Sequence, residues 1–206
     1  MDLLGIQQIK LDTPPQVEAN QTGGGEMISA DLAPMMWQGE VRLGTMTVRE
    51  AADPEAFLDI LRPTGRSFYA YDTRRPAPLL DPSGSILGAS VPTINALIAG
   101  SREMRLAGLP VGYRLSRGDY LAFDYGTVPV RRALHRVVSA SATMGATFTS
   151  VFEVTPMLRP GVVTGTAVTL IKAACKAVLI PGSVDKGSSF RTIHRDMMFR
   201  FQQTLR

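Results

Sequence analysis

An all-β fold with one short flanking helix, arranged as an antiparallel β-sandwich or partial barrel, is predicted by three features of the sequence. Glycine and proline are abundant, at 19 and 14 of the 206 residues, which is typical of a chain with many turns. Short segments in which apolar and polar residues alternate recur every ~8–12 residues, with turn residues between them. A single segment has the capping residue and the periodicity of an amphipathic helix.

The chain is predicted to begin with an extended N-terminal arm, residues 1–26, followed by one β domain over residues 27–206. Residues 3–11 are apolar enough to pack, but Pro14-Pro15 and Gly23-Gly24-Gly25 disfavour regular structure after them. The triple glycine lacks the Lys-Ser/Thr of a phosphate-binding loop, so it indicates a linker. Such an arm either reaches a neighbouring subunit or stays disordered. We expect its deletion to weaken assembly and to leave the β structure intact.

The domain is predicted to open with a strand and then a helix. From Trp37 to Leu43, apolar and polar residues alternate with the period of two that is typical of a half-buried strand. Asp53 is predicted to cap a helix of about ten residues whose first helical position is Pro54. Pro63 is predicted to end that helix. The residues predicted to share its buried face are Phe57, Ile60 and Leu61.

The rest of the domain is predicted to be β structure, for about ten strands in all. The predicted strands are residues 67–71, 93–98, 102–106, 120–125, 130–138, 147–154, 167–171, 174–180 and 190–202. Gly100-Ser101 is the predicted turn between 93–98 and 102–106, and residues 74–85 form a long loop. Segments 130–138 and 147–154 are predicted to pair around Gly145, with Phe148, Phe152 and Val154 on one face. The segment 190–202 is predicted to be an unpaired edge strand that a neighbouring chain can extend.

Charge is distributed unevenly along the chain. Residues 1–100 contain 7 Lys/Arg and 12 Asp/Glu, whereas residues 101–206 contain 15 Lys/Arg and 6 Asp/Glu. Three explanations fit: contact of the basic half with nucleic acid, an acidic face of one subunit against a basic face of the next, or scattered solvated arginines. The absence of any run of five basic residues weakens the first of them.

Catalytic, cofactor and metal chemistry are not predicted for this chain. Cys175 is the single cysteine, which excludes an intramolecular disulfide and a cysteine-built zinc site. His135 is predicted to be a partly solvated sheet histidine. His194-Arg195-Asp196 only imitates a kinase catalytic loop, because Phe201 stands where the metal-binding Asn belongs. Asp119, after Gly118, is predicted to be a turn residue. Because so few titratable candidates remain, we expect no enzyme activity and no catalytic, cofactor-binding or metal-ligating residue.

No targeting segment is predicted at the N-terminus or in the most apolar window of the chain. Residues 1–12 lack a basic start, and the apolar window 167–180 contains Lys172 and Lys176, so we expect neither a signal peptide nor a membrane span and predict a soluble protein.

Six aromatic residues either stack sugars or bases on a β face or pack in the core and in interfaces, and their alternation within strands favours packing. These residues are Trp37, Tyr69, Tyr71, Tyr113, Tyr120 and Tyr125.

An ordered set of short motifs between residues 37 and 160 resembles a known family. The motifs are Trp37-x-Gly39-x-Val41, the Asp53-Pro54 helix with Phe57 and Leu61, Leu115-Ser-Arg-Gly118-Asp119-Tyr120-Leu121, Leu134-His-Arg-Val137, Gly145, and Phe152-Glu-Val154-Thr-Pro156-Met-Leu158-Arg159. In this order they resemble the distal tail proteins of long-tailed, siphovirus-type bacteriophages. Each motif alone recurs in many β proteins, so the resemblance depends on their order.

The resemblance implies a tail-tube-like fold and a structural role. Distal tail proteins form a hexameric ring that joins the tail tube to the hub or baseplate and leaves a lumen through which DNA passes without specific binding. The expected partners are therefore copies of the same chain, the tail tube protein and the hub or baseplate proteins, with no membrane partner. The expected location is the virion tail tip, after assembly in the host cytoplasm. Too few residues follow residue 160 for the carbohydrate-binding-like domain that the family often adds, so the chain resembles a short, ring-only form.

A binding module is the alternative function. A β-sandwich or oligonucleotide-binding-type barrel can use exposed aromatic residues and a basic half to hold a glycan or single-stranded nucleic acid. Such a module is expected to be monomeric, and its binding of nucleic acid is expected to weaken as salt rises. The ring is expected to assemble.

Overall fold

The computed structural model describes residue 1, residues 4–98 and residues 102–206. Strands make up 44% of the structure, and the sheets are antiparallel, which confirms the predicted all-β class with one helix. In the described part of the chain, that helix is α1 (Val48–Leu61). The strands are β1 (Ile6–Asp12), β2 (Gln16–Gln21), β3 (Met27–Ala33), β4 (Gln38–Leu43), β5 (Met46–Thr47), β6 (Phe68–Ala70), β7 (Thr93–Leu97), β8 (Glu103–Ala107), β9 (Arg114–Ser116), β10 (Tyr120–Tyr125), β11 (Arg131–Val137), β12 (Ser141–Thr143), β13 (Phe152–Thr155), β14 (Val168–Thr169), β15 (Cys175–Leu179), β16 (Ser188–Phe190), β17 (Ile193–Arg195) and β18 (Met198–Gln203). The predicted turn at Gly100-Ser101 lies outside the described residues.

Six strands form a nearly closed barrel in the order β14-β10-β11-β13-β8-β7. The two end strands approach each other, because Ile94 N donates to the carbonyl of Thr166 at 2.9 Å and Gly165 N donates to the carbonyl of Ile94 at 2.7 Å. Closure of this kind satisfies backbone groups that an open sheet leaves unpaired at its edges. The largest buried side chains inside the barrel are Ile94, Met104, Leu106, Leu121, Phe123 and Phe152.

A second sheet, in the order β1-β4-β18-β15-β6, covers the outer face of β10 and β11. Strand β10 is therefore buried on both faces. Leu121 and Phe123 point into the barrel, whereas Tyr120 and Ala122 join a second core beneath this five-stranded sheet. Trp37 ties the two layers together, since its indole Nε1 donates to the carbonyl of Leu134 at 2.6 Å.

Helix α1 begins earlier than predicted. Thr47 is the N-cap: its hydroxyl accepts from Glu50 N at 3.3 Å, and the Glu50 carboxylate accepts from Thr47 N at 2.8 Å. This reciprocal capping box satisfies two of the free N–H groups at the helix start, so Asp53 and Pro54 lie inside the helix. The predicted end is confirmed, because the helix stops at Leu61, before Pro63.

The buried face of α1 also differs from the prediction. Ile60 is exposed and Phe57 only half-buried, while Leu61 is buried as expected. The buried stripe passes through Leu58, one position beyond Phe57, because packing against the rest of the fold decides which face is covered. The buried residues are Ala51, Pro54, Leu58 and Leu61.

The predicted edge strand over residues 190–202 is wrong. Arg191 and Asp196 adopt positive φ values of 55° and 66°, and these turns divide the segment among β16, β17 and β18. Strand β18 then lies between β4 and β15, with hydrogen-bonded neighbours on both sides. It is therefore a central strand and offers no free edge to a neighbouring chain.

The pair predicted from segments 130–138 and 147–154 is present but shorter. Strands β11 and β13 pair antiparallel through Arg136–Thr155 and Val137–Val154. Between them, β12 leaves to pair with β9. Phe148 is outside both strands and exposed, so it does not share the buried face of Phe152 and Val154.

The predicted N-terminal arm is divided by the structure into two parts. Strand β1 pairs with β4, and Leu4, Ile9 and Leu11 are buried in the second core. Strands β2 and β3 form a separate hairpin, and the predicted boundary at residue 26 falls in its turn. Deletion of residues 1–26 would thus remove a core strand, so it does not test the hairpin alone.

Candidate interaction surface

The β2–β3 hairpin projects from the body of the protein. Its two strands pair only with each other, through positions such as Asn20–Ile28 and Gln21–Met27. Every residue of β3 is exposed. Thr22 N donates to the carbonyl of Glu26 at 2.8 Å and so closes the turn that contains the triple glycine. The glycines thus form a hairpin turn, where Gly25 has a φ of 85° that other residues rarely adopt.

Large apolar side chains are exposed along this hairpin. Met27, Ile28 and Leu32 have 71%, 60% and 67% of their side-chain surface exposed. Met27 and Ile28 are adjacent in β3 and therefore lie on opposite faces of the ribbon. A two-stranded hairpin is marginally stable in water by itself, and contiguous exposed apolar surface marks interaction sites. The hairpin is the candidate interaction element of this protein.

The base of the hairpin is firmly held. Trp37, which follows it, is fully buried, and its backbone N donates to the side-chain oxygen of Gln203 at 3.3 Å. Arg159 Nη2 donates to the carbonyl of Met35 at 3.0 Å. The hairpin strands therefore extend freely from an anchored base.

A groove of about 520 Å³ lies beside that base, and we call it the base groove. It separates Leu32 from Val138 and Met157 of the barrel. Arg102 and Glu153 line it as an ion pair at 3.9 Å. The base groove extends the apolar hairpin surface onto the barrel.

A second groove, of about 440 Å³, lies at the opposite edge of the five-stranded sheet, and we call it the basic groove. Its cationic lining consists of Arg62, Arg66, Lys176 and Arg206, and none of the Asp and Glu residues that the structure describes lines it. Its apolar lining is supplied by Leu61, Pro63, Val178, Leu179 and Pro181. This combination suits an acidic partner with apolar side chains.

The long loop between β6 and β7 is held by buried carboxylates, and we call residues 72–90 the pinned loop. Asp81 accepts from Leu87 N at 2.9 Å, from Ile86 N at 3.1 Å and from the Tyr113 hydroxyl at 3.3 Å. Asp72 accepts from Arg74 Nε at 2.9 Å and Nη2 at 2.8 Å. Burial acts to raise the pKa of each carboxyl, but these hydrogen bonds outweigh it and lower both pKa values.

Asp119 holds the pinned loop from the barrel side. Its carboxylate accepts from Leu79 N at 2.9 Å and from Ser116 N at 2.7 Å. Burial dominates here and raises the pKa of Asp119 despite these two hydrogen bonds. The prediction of a turn residue is confirmed, and the structure adds that this turn fastens a distant loop. Leu79, at the outer surface of the loop, is 70% exposed.

The six aromatic residues fall into two groups. Five are buried, which confirms core packing for them: Trp37, Tyr71, Tyr113, Tyr120 and Tyr125. Tyr69 is 58% exposed on the edge strand β6, and the guanidinium of Arg132 lies 5.3 Å from its ring centroid. Tyr69 is therefore the one member of this set available to stack on a ligand.

His135 is buried, so the prediction of a partly solvated histidine is wrong. Its ring stacks on Phe123 with a centroid separation of 5.3 Å, and Nδ1 lies 2.7 Å from the carbonyl of Pro156. Nε2 has no hydrogen-bond partner among the described residues. Burial lowers the pKa of His135 to about 4, because a proton on Nε2 would place an unpaired charge in the core.

His194 forms a pair with Ser189 that the sequence did not indicate. Its Nδ1 lies 2.8 Å from the Ser189 hydroxyl, and its Nε2 lies 2.7 Å from the carbonyl of Lys186. Because a carbonyl only accepts, Nε2 carries the proton and Nδ1 accepts from the serine. A backbone carbonyl stands where a catalytic triad has a carboxylate, and neither groove described above includes the pair. The pair joins β16 to β17.

No family model matches the chain, and no curated protein matches it. Within the described residues, no group of three or more His, Cys, Asp or Glu side chains is arranged to hold a metal ion. None of the helices in that same part of the chain is long and apolar enough to cross a membrane. The geometry of the surface therefore carries the functional argument.

Proposed function

We propose that this chain is a structural subunit of a bacteriophage tail, a distal tail ring protein that joins the tail tube to the hub or baseplate. The observation that carries the proposal is the β2–β3 hairpin, which exposes Met27, Ile28 and Leu32 from an anchored base. A protruding element that fits a different surface on the next copy makes a heterologous contact, and repetition of such a contact closes a ring when the rotation between copies closes. The ring leaves a lumen for DNA at the tip of the virion tail.

The short motifs between residues 37 and 160 support the proposal, because several of them lie where parts of the fold are joined. Trp37 and Leu134 join the two layers, and the Gly118-Asp119 turn fastens the pinned loop to the barrel. Motifs at such junctions specify one architecture rather than one chemistry. They are therefore consistent with a structural protein and with the order of motifs in the distal tail family.

A second candidate function rests on Tyr69. Arg132 lies against its ring, and Lys176 is its direct partner on β15. An exposed aromatic ring flanked by cations is typical of surfaces that bind single-stranded nucleic acid. The alternative is therefore an oligonucleotide-binding-type module, or a glycan-binding one, that acts as a monomer.

Solution mass tests the ring directly. Light scattering at two protein and two salt concentrations should give a mass near six times 22.3 kDa, or one that rises toward it with concentration. A variant in which a short Gly-Ser connector replaces residues 16–33 should stay at the mass of a single shortened chain, somewhat below 22.3 kDa, and keep its β circular dichroism, because β1 and Trp37 remain.

The matched control replaces an exposed apolar residue elsewhere. Val128→Ser alters a side chain that is more exposed than Met27, Ile28 or Leu32 but lies outside the hairpin, so it should leave the mass unchanged. Equal masses for the native chain and the hairpin-less variant would contradict the proposal. Salt-sensitive binding of an oligonucleotide by a monomer would favour the alternative.

A further inference from the structure

We infer that the basic groove of one copy receives the β2–β3 hairpin of the next copy. The inference rests on the proposed function and names the two surfaces that meet in the ring. Arg66, Lys176 and Arg206 form no ion pair with any described residue, and Arg62 forms an ion pair only with Asp59, at 3.6 Å. Three of the four cations of the groove thus lack a counter-charge from the described residues of their own subunit.

The hairpin carries the complementary charge. Residues 13–36 contain three acidic residues, Glu18, Glu26 and Asp31, and no lysine or arginine. None of the three carboxylates forms an ion pair with a described residue. An acidic element therefore matches a basic groove, and both elements lack partners within one copy.

Apolar surface matches as well. One face of the hairpin offers Ile28 and Leu32 beside Glu18, and the groove offers Val178 and Leu179 beside its cations. Interfaces need apolar area for affinity, while charges set specificity and rate of association. A purely polyanionic partner would leave the apolar lining of the groove uncovered, so a protein segment with both features fits better.

The register of the five-stranded sheet places the two elements at the same level. Asp12, at the base of the hairpin, pairs with Gln38; Gln38 pairs with Gln202, and Gln202 pairs with Val178, which lines the groove. This row crosses the sheet from the edge that bears the hairpin to the edge that bears the groove. The base of the hairpin and the basic groove of one copy therefore lie at the same level along the strands, on opposite sides of the sheet.

The dimensions agree with that arrangement. The hairpin strands are six and seven residues long, so the hairpin extends about 20 Å. Five strands span about 19 Å at the usual spacing, so the groove is separated from its own hairpin by the width of the sheet. In the structure the hairpin lines the base groove and contributes nothing to the basic groove. The hairpin that occupies the basic groove therefore belongs to a second copy.

Charge reversal with rescue tests the contact. Arg66→Glu combined with Lys176→Glu should weaken assembly at least about tenfold in protein concentration, and Glu18→Lys combined with Asp31→Lys should do the same. A chain carrying all four changes should recover assembly. The control, Arg114→Glu combined with Arg191→Glu, reverses two exposed arginines outside the groove and should assemble normally.

Cross-linking gives a second, positional measurement. Ser29→Cys places a thiol on β3, and Ser67→Cys places one in the basic groove. Cys175 is buried, and burial raises its pKa to about 12, so it should not react. An oxidised mixture of the two single variants should give mainly a heterodimer, whereas Ser29→Cys mixed with Ser139→Cys should not.

The outcomes separate this inference from the proposed function. If the groove-reversed chain assembles normally while the hairpin-less chain does not, the ring stands and the basic groove is not the receiver. If no variant and no native chain assembles or cross-links, both fail. If the native groove binds a fluorescent single-stranded oligonucleotide, and reversal abolishes that binding without affecting assembly, the groove is a polyanion site and the docking inference is overturned.

Discussion

The β2–β3 hairpin has a regular backbone but few contacts with the rest of the protein, whereas the pinned loop is irregular but held by buried hydrogen bonds. The hairpin has a regular hydrogen-bonded ladder, yet all of β3 is exposed. The pinned loop contains no strand, yet Asp72 and Asp81 are buried within it and Asp119 holds it from outside. A regular backbone therefore does not by itself make a segment stable.

The physical reason lies in what each segment buries. A ladder satisfies backbone groups but gains little when no apolar face is covered, so the hairpin is expected to open at low free-energy cost in a single copy. A buried carboxylate that accepts several N–H groups is costly to remove, because it leaves buried donors without partners. The pinned loop should therefore be the more stable of the two.

The largest expected effect removes a carboxylate from the pinned loop. Asp81→Ala strips acceptors from Ile86 N, Leu87 N and the Tyr113 hydroxyl, and should lower the free energy of unfolding by about 4 kcal/mol. Asp31→Ala, the matched change in the hairpin, should alter it by less than about 0.5 kcal/mol. Urea unfolding followed by the fluorescence of the single tryptophan, Trp37, measures both. Equal effects would erase the distinction between the segments.

The next effect extends the comparison to the barrel through pH. The pKa of His135 is about 4 in the folded state, below its ordinary 6.5, so the unfolded chain takes up this proton first. The contribution of His135 to the free energy of unfolding should therefore fall by about 3 kcal/mol as pH drops from 6.5 to 4, while the raised pKa of Asp119 acts in the opposite direction. Below about pH 4, the lowered pKa values of Asp72 and Asp81 add a further loss.

His135→Gln should remove the loss between pH 6.5 and 4 while keeping the loss below pH 4. The glutamine amide can still donate to the carbonyl of Pro156, but it does not titrate. Urea unfolding at several pH values measures the slope. An unchanged slope in the variant would show that another group controls acid stability.

A smaller effect compares two glycines. A Cβ on Gly39 would overlap the ring of Phe201 and lie 2.8 Å from the carbonyl oxygen of Lys10, so Gly39→Ala should cost about 2 kcal/mol. A Cβ on Gly24, in the hairpin turn, would make only an ordinary contact with the Thr22 hydroxyl at 3.9 Å, and Gly24→Ala should change stability by less than about 0.5 kcal/mol. Thermal unfolding of both variants should show a clearly lower Tm for Gly39→Ala only.

The smallest effect on one copy belongs to the exposed hairpin side chains. Met27→Ser with Ile28→Ser removes no buried contact, so the free energy of unfolding should change by less than about 0.5 kcal/mol. Hydrogen exchange in monomeric protein should find β2 and β3 far less protected than residues 81–87. Strong protection of the hairpin in a monomer would mean that it is stabilised without a neighbour.

Much of the fold was accessible from local patterns. The alternation from Trp37 to Leu43 predicted β4, and the turn before Tyr120 predicted β10. The start of α1 was also readable, because Thr47 and Glu50 have the spacing of a capping box, but the Asp53-Pro54 pair matched a different helix-start signal. Two helix-start signals were therefore present in the sequence. In the structure Thr47 ends β5, where it pairs with Ile193 of β17, and α1 begins immediately after it.

The interaction surface was only partly accessible. The acidic first half and the basic second half are properties of the sequence, and so is the glycine turn at residues 23–25. That Lys176 and Arg66 line one groove, at the level of a hairpin on the far edge of the sheet, depends on strand order. Strand order is set by contacts between distant residues, which periodicity does not report.

The sequence by itself determined the all-β class, the presence of a helix, the turn before Tyr120 and the charge asymmetry, because these depend on composition and on neighbours within a few residues. The tertiary structure decided which segments are covered. Strand β18 looks like a free edge in sequence but lies between β4 and β15, and His135 looks half-solvated but stacks on Phe123 inside the barrel. Burial is a property of two surfaces that meet, and those surfaces come from parts of the chain that are far apart in sequence.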